Sequence, residues 1–406
     1  MFTSLALVIL LGLALSGVCK RLHLPGIIGM LATGILLGPY CLDLLDPVIL
    51  SISPDLRQMA LIIILLKAGL SFKFSDLKQV GRPAVMMSCV PASCEVLAFF
   101  LFAPPLLGVS HLEAALMGAV LGAVSPAVVV PRMVNLIERR YGTDKHIPQM
   151  MIAGASCDDI FVIVLFTTFL GMVQKGTTDL TGFLNIPISV ATGVLLGCST
   201  GWLLNTFFES AYQKQHYVRN SLKVIVMLGA SFLLVAIETH LEGILPVSGL
   251  LAVVSMATTI NQRSSAFVSA RLSEKLGKLW LAAEVILFVL VGAAVDIRFT
   301  LEAGFPVVIM IFISLAFRSM GVSLCMLGTR LDKKERLFCV LTYLPKATVQ
   351  AAIGSVPLYL GLPCGKLVLC VAVVAIMITA PLGAISIDST YQKLLHREPK
   401  PAPKET

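Results

Sequence analysis

Charge is scarce in this sequence. Of its 406 residues only 13% are Asp, Glu, Lys or Arg, and 57% are hydrophobic. Soluble proteins carry roughly 25% charged residues. Apolar runs of about 18 residues or more recur along the whole length, more than a soluble fold of this size can bury. The chain reads as a polytopic membrane protein. Other absences narrow its work. No GxxxxGK[ST] loop occurs, so nothing suggests a nucleotide-driven pump. The ten cysteines are scattered without a CxxC pair, which argues against a metal cluster or disulfide framework and for small buried hydrophobes. No Lys or Arg precedes the first apolar run. The basic pair Lys20–Arg21 follows it instead, the wrong order for a removable secretory signal and the right one for a first span with its N-terminus outside.

Thirteen candidate spans follow, approximately 2–19, 24–42, 55–72, 82–103, 111–134, 148–173, 182–208, 217–239, 243–260, 277–295, 303–328, 335–360 and 365–387. Spanning segments must be helical, because lipid offers no partner to a backbone amide. The polar end "HREPKPAPKET", 396–406, marks a C-terminal tail, 391–406, that reads as disordered. With the N-terminus outside, "KRLH", "ERRYGTDKH", "YQKQHYVRN", "SARLSEKLGK" and "RLDKKER" become cytoplasmic loops, and that side, counting the C-terminal tail, holds 24 of the 31 Lys and Arg residues. Arg57, Lys175, Arg298 and Lys366 lie near the other face. That bias predicts an outside N-terminus and a cytoplasmic C-terminus. It also accounts for the net charge of +8 through anionic lipid rather than nucleic acid.

Equivalent spans in the two halves are separated by an odd number of crossings, so the second six spans enter from the opposite side. This is the arithmetic of two inverted six-helix repeats joined by the seventh span. Equivalent spans also carry helix breakers: "SPAVVVP" (Ser125 to Pro131) and "LPKATVQAAIG" (Leu344 to Gly354). Proline removes an amide donor and clashes with the preceding turn. A matched pair of breaks predicts unwound segments crossing near the midplane.

Several ionisable residues lie inside spans. A carboxylate there costs on the order of 3 kcal/mol by insertion scales, yet "GASCDDIFVIVLFTTFLG" places Asp158 beside Asp159. Neighbours on a helix point about 100° apart, so both can flank one polar stripe. Two close carboxylates resist double ionisation and form a site for a proton or a hard cation, with Ser156, Ser125 and freed backbone carbonyls as further oxygen ligands. Competition for such a site gives coupled exchange. Glu95 and Arg318 occupy equivalent spans and are expected to pair across the core. Lys346, one residue past the second proline, is expected to neutralise the carbonyl ends of the broken helices, with pairing to an aspartate as the alternative. Lys67 is read as snorkelling. Glu284 receives no firm role.

Together "GASCDDI", "GAVSPAVVVP" and "YLPKATVQAAIG" resemble the cation/proton antiporter superfamily, and within it the NHA branch of sodium/proton exchangers. The resemblance covers essentially the whole chain. It implies a transporter rather than an enzyme, without a cofactor. It also implies a homodimer whose scaffold is residues 1–81 and 217–298, whose ion-carrying core is 82–176 and 299–390, and whose linker is 177–216. The core would move like an elevator. In the family motif the second aspartate, here Asp159, is the main ligand of sodium or lithium, with Asp158 beside it. Two positions depart from relatives: Ser125 stands where many carry an acid, and Arg318 where some electrogenic members carry a lysine. Arginine stays protonated, which points to one-for-one, electroneutral exchange. Rival readings are a potassium/proton antiporter, an intramembrane aspartyl protease, whose GxGD motif does not occur here, and an organic-anion carrier, which the acidic pair disfavours. The absence of a long tail or targeting segment suggests a bacterial inner membrane.

Overall fold

The computed structural model describes residues 1–22, 24–71, 81–175, 180–213, 218–241, 245, 247–302 and 304–398. The described residues are overwhelmingly helical and form no strand, only one isolated bridge between Tyr141 and Arg397. The first half comprises α1 (Phe2–Arg21), α2 (Gly26–Leu37), α3 (Pro47–Ser71), α4 (Arg82–Met87), α5 (Val90–Leu107), α6 (His111–Leu121), α7 (Pro126–Arg139) and α8 (Ile147–Lys175). The long α9 (Leu180–Gln213) joins it to α10 (Asn220–His240), α11 (Gly249–Arg263), α12 (Ala266–Ala293), α13 (Ile297–Glu302) and α14 (Gly304–Cys325). The chain ends in α15 (Lys333–Thr342), α16 (Thr348–Gly354), α17 (Val356–Tyr359) and α18 (Gly365–Leu394).

Ten described segments are long and apolar enough to cross a membrane, with α4–α5 and α6–α7 each counted as one. The chain is a multi-pass integral membrane protein. The expected spans outside these ten correspond to the short α2, the short α11 and the broken run α15–α17. The first two occupy equivalent places in the halves.

Some boundaries differ from expectation for local reasons. Helix α12 begins at Ala266, not near 277, so "SARLSEKLGK" is helix rather than loop. Ser265 caps it by accepting the Val268 amide, and Glu274 reaches Arg271 (3.6 Å) and Lys278 (3.1 Å) at helical spacing. Helix α3 starts at Pro47, the favoured residue of a first turn, with the Asp46 carboxylate accepting from the Val48 amide at 2.9 Å.

Both interrupted spans open with the same device. Ser110 and Glu113 form a capping box at α6, and Asp332 and Glu335 form another at α15. Each pair satisfies amides that the first turn leaves without partners. Helix α6 stops at Leu121 because the chain must enter Pro126 extended; Ser125 has φ −83° and ψ 108°. Pro345 has the matching effect on the other side. The two extended stretches meet: the Ser125 amide donates to the Pro345 carbonyl at 2.8 Å. Gly383 on α18 lets this crossing seat, since a Cβ there would overlap the Pro345 ring.

Two packed groups of helices surround the crossing. In one, α1, α2, α3, α11 and α12 lie against each other, with α9 along α11. Small residues bring these helices close: Gly34 meets the Val289 carbonyl and Gly292 meets that of Leu31. In the other, α5 packs along α14, α4, α6 and α7 pack on α8, and α15 to α17 pack on α18.

The expected disordered tail, 391–406, is corrected as far as Glu398. Helix α18 runs to Leu394, Leu395 is buried, and the Gly142 amide donates to the His396 carbonyl while the Glu398 amide donates to that of Arg140, both at 2.8 Å. An apolar anchor and paired backbone groups order these residues. Residues 399–406 lie outside the described ones.

Replacing Gly383 with valine is expected to lower the thermal midpoint in detergent, at a cost of about 1–3 kcal/mol for overpacking. The same change at Gly171, which has open space around it, should not. Equal midpoints for the two variants would contradict the seating role.

Candidate functional site

Helices α5 and α14 each bury one stripe. On α5 it includes Ala92, Glu95, Ala98 and Phe99; on α14 it includes Ile311, Ser314, Leu315, Arg318 and Val322. The spacing is that of a helical face, and one charge sits in the middle of each. Because α5 and α14 pack together, the two charges meet. Arg318 Nη1 lies 2.7 Å from Glu95 Oε2, and both residues are wholly buried.

The guanidinium does more than pair with Glu95. Its Nη2 donates to Asp158 Oδ2 at 3.1 Å, its Nε to the Tyr343 carbonyl at 2.6 Å, and its Nη1 also to the Gly122 carbonyl. It lies 5.2 Å from the Tyr343 ring centroid. One rigid fork thus ties together α5, α8 and both breaks, which only a planar group with several donors can do.

Lys346 has a similar task. Its Nζ contacts Glu95 Oε2 and the Leu121 carbonyl, the last residue of α6, each at 2.5 Å. Its amide donates to Thr379 Oγ1 at 2.9 Å. The expected contact with a broken helix's carbonyl end is present. The carboxylate it meets is Glu95, and neither aspartate. Gln350, not singled out in the sequence, donates to the Ala123 carbonyl at 2.6 Å and accepts from the Ala347 amide at 2.8 Å. Its place four residues past Lys346 in an apolar motif was the available signal. Thr379, a polar residue in the apolar middle of the last span, was another.

Asp158 is wholly buried. Its Oδ2 accepts from the Val124 amide at 2.8 Å, in the first break, besides Arg318; its Oδ1 has no partner. Asp159 differs. It retains 6% of its exposure, and among the described residues it has no hydrogen bond or ion pair. The Ser125 hydroxyl is also buried without a partner. The Ser156 side chain lies outside the described residues.

A charge balance follows. Glu95 and Asp158 are two anions; Arg318 and Lys346 are two cations. These four are joined by direct contacts at 2.5–3.1 Å and cancel. Asp159 is the fifth charge: the field of Arg318 reaches it, but no cation is in direct contact with it among the described residues. Lys67 and Glu284 belong elsewhere: each lies in the other's field, and Lys67 Nζ is 6.0 Å from the Trp280 ring. Removing one partner from a buried pair leaves the other uncompensated, at about 3–5 kcal/mol. Glu95→Gln and Arg318→Gln are each expected to lower thermal stability strongly, and the double variant to lose less than the sum. Additive losses in a double-mutant cycle would contradict the pairing.

Comparison with known proteins agrees with this architecture. The family model described as "Sodium/hydrogen exchanger, transmembrane" matches residues 5–393. The human protein "Sodium/hydrogen exchanger 9B2" is 34% identical over 389 residues, covering 92% of this chain and 70% of the relative. Human "Sodium/hydrogen exchanger 9B1" is 31% identical over 363 residues, covering 86% and 68%. The solved structure of the sodium proton antiporter MjNhaP1 from Methanocaldococcus jannaschii superposes with a TM-score of 0.82 at 21% identity, covering 97% of this chain and 98% of that one; it shares the fold. By the length and identity of these matches, the chain belongs to the sodium/hydrogen exchanger family.

Proposed function

We propose that this protein exchanges sodium, or lithium, for protons across a membrane, and that Asp159 is the group that alternates between them. The observation that carries the reading is the charge balance. Four buried charges pair off in direct contacts, while Asp159 beside them has no hydrogen bond or ion pair of its own and feels a cation only through the field of an Arg318 already shared by Glu95 and Asp158. Three buried oxygens without partners are on hand for a hard cation: Asp159 Oδ1, Asp158 Oδ1 and Ser125 Oγ. Ser125 belongs to the break whose neighbouring amide, that of Val124, holds Asp158. Small hard cations take oxygen ligands, so the donor set suits the cargo.

Coupling follows from electrostatics. With a proton or a cation on Asp159 the buried set is neutral. Without either it carries one net negative charge. A penalty of about 3 kcal/mol for that charge at membrane depth suppresses the empty crossing by a factor on the order of 100. The site then crosses only when loaded, and each ion moving one way requires the other moving back. Because one carboxylate alternates and Arg318 keeps its proton, the exchange is one-for-one and electroneutral. No cofactor enters this scheme.

The two packed groups suggest how the site changes sides. Residues 1–81 and 217–298 form a scaffold through which two copies associate, and residues 82–176 and 299–390 form a core that slides against it, with 177–216 as linker. The Ser125–Pro345 contact and the Arg318 fork favour a core that travels as one body. The halves are related by inversion, with the N-terminus on the face opposite the basic loops. A bacterial inner membrane finds no support in the 9B2 and 9B1 relatives, which are human.

In proteoliposomes, sodium or lithium is expected to dissipate an imposed pH gradient faster than potassium. Asp159→Asn should abolish exchange. Ser125→Ala should raise the sodium concentration for half-maximal rate with a smaller effect on the maximum. Exchange should not respond to an imposed membrane potential. Undiminished transport by Asp159→Asn would defeat the proposal, and a rate that follows the potential would defeat one-for-one stoichiometry.

A further inference from the structure

A cavity of about 590 Å³ lies between the loop before α15 and the end of α18, on the face that carries the basic loops. Lys333, Lys334, Lys393, Arg397 and His396 line it, and Asp332 is its one acidic lining residue. Three nearby carboxylates are already engaged, and Asp144, in the turn after Tyr141, is not among the lining residues. Asp332 accepts from the Glu335 amide at 2.8 Å as the cap of α15. Glu335 is buried against Lys145 at 2.8 Å. Glu398 accepts from the Thr143 hydroxyl at 2.7 Å. The bond to Glu335 holds the Lys145 ammonium above the ordinary lysine range, so this cation is committed too. Four permanent cations are left facing one cavity without an ion-pair partner among the described residues.

The cavity walls are built. On one side the chain end pairs with the turn between α7 and α8 through Gly142–His396 and Arg140–Glu398. Arg397 lies 5.7 Å from the Tyr141 ring centroid. The Arg139 guanidinium donates to Tyr391 Oη at 3.0 Å, and Arg132 forks onto Asp388. On the other side, Lys333 and Lys334 are the first two residues of α15. Like charges gathered around one cavity repel one another, and an anion seated among them relieves that repulsion.

We propose that this cavity binds a multiply phosphorylated anion. Its volume is in the range of sites for whole small molecules and far exceeds a halide. Neutralising four cations calls for an anion with several charges, and a phosphate cluster supplies both charge and acceptor oxygens. The same chemistry is offered by a soluble polyphosphate and by the headgroup of a phosphorylated inositol lipid.

The test uses the full chain in detergent, titrated calorimetrically with inorganic tripolyphosphate. Saturable binding near one per chain is expected, weakened at least tenfold by Lys333→Glu with Lys393→Glu. Arg263→Glu with Lys275→Glu, an equal charge change outside the cavity, should leave affinity within about twofold. Exposed substitutions of this kind change stability by roughly 0.5 kcal/mol or less, and unaltered thermal midpoints would confirm folding. Two further arms use inositol trisphosphate and a short-chain phosphatidylinositol bisphosphate. Tighter binding of the lipid identifies a membrane source, and equal or tighter binding of soluble anions identifies a soluble one; both uphold the site. No saturable binding by any of the three probes, or equal loss in both double variants, would overturn it.

Discussion

The cost of charge in a low-dielectric interior is the constraint on which this structure depends. Five ionisable groups are buried around the crossing of the broken helices, and each would be costly alone. The fold meets this by bringing two acids and two bases into direct contact from four directions: Glu95 from α5, Asp158 from α8, Arg318 from α14 and Lys346 from the second break. Cancellation among these four is what makes Asp159 distinct. On the proposed reading, one carboxylate placed beside a neutral cluster is a charge that a mobile ion balances.

The broken helices serve the same end. Unwinding α6–α7 and α15–α16 releases carbonyls and amides that a continuous helix would consume. The released groups are then used: the Leu121, Gly122 and Ala123 carbonyls by Lys346, Arg318 and Gln350, and the Val124 amide by Asp158. Side chains therefore replace the lost helical hydrogen bonds, and in doing so they fix the acids and bases in register. The breaks and the charges form one network; neither would be stable without the other. Its members come from both halves of the sequence, so the core closes only when the halves dock.

Much of this was legible in the sequence, because membranes make sequence rules strict. Apolar runs had to be helices, and Pro126 and Pro345 had to interrupt them. A buried Glu95 and a buried Arg318 on equivalent spans each needed an opposite charge. The less legible parts were those decided by three-dimensional placement. That Lys346 meets Glu95 rather than an aspartate depends on how the two breaks cross. The roles of Gln350 and Thr379 were hidden because a single neutral polar residue in an apolar run usually bonds its own helix. Helix α12 begins early because of Ser265 and the Glu274 pairs, local signals outweighed in the reading by a run of basic residues. The ordered stretch from Leu395 to Glu398 looked like tail because its partners, Arg140 to Gly142, are remote in sequence.

The central claim is that one carboxylate gives up a proton when it takes a cation. Calorimetric titration of the detergent-solubilised protein with sodium, in buffers of different ionisation enthalpy, counts protons released per ion bound. At a pH where Asp159 is protonated, the account predicts close to one proton per sodium, and neither binding nor release in Asp159→Asn. Sodium binding without proton release, or release that persists in that variant, would contradict it.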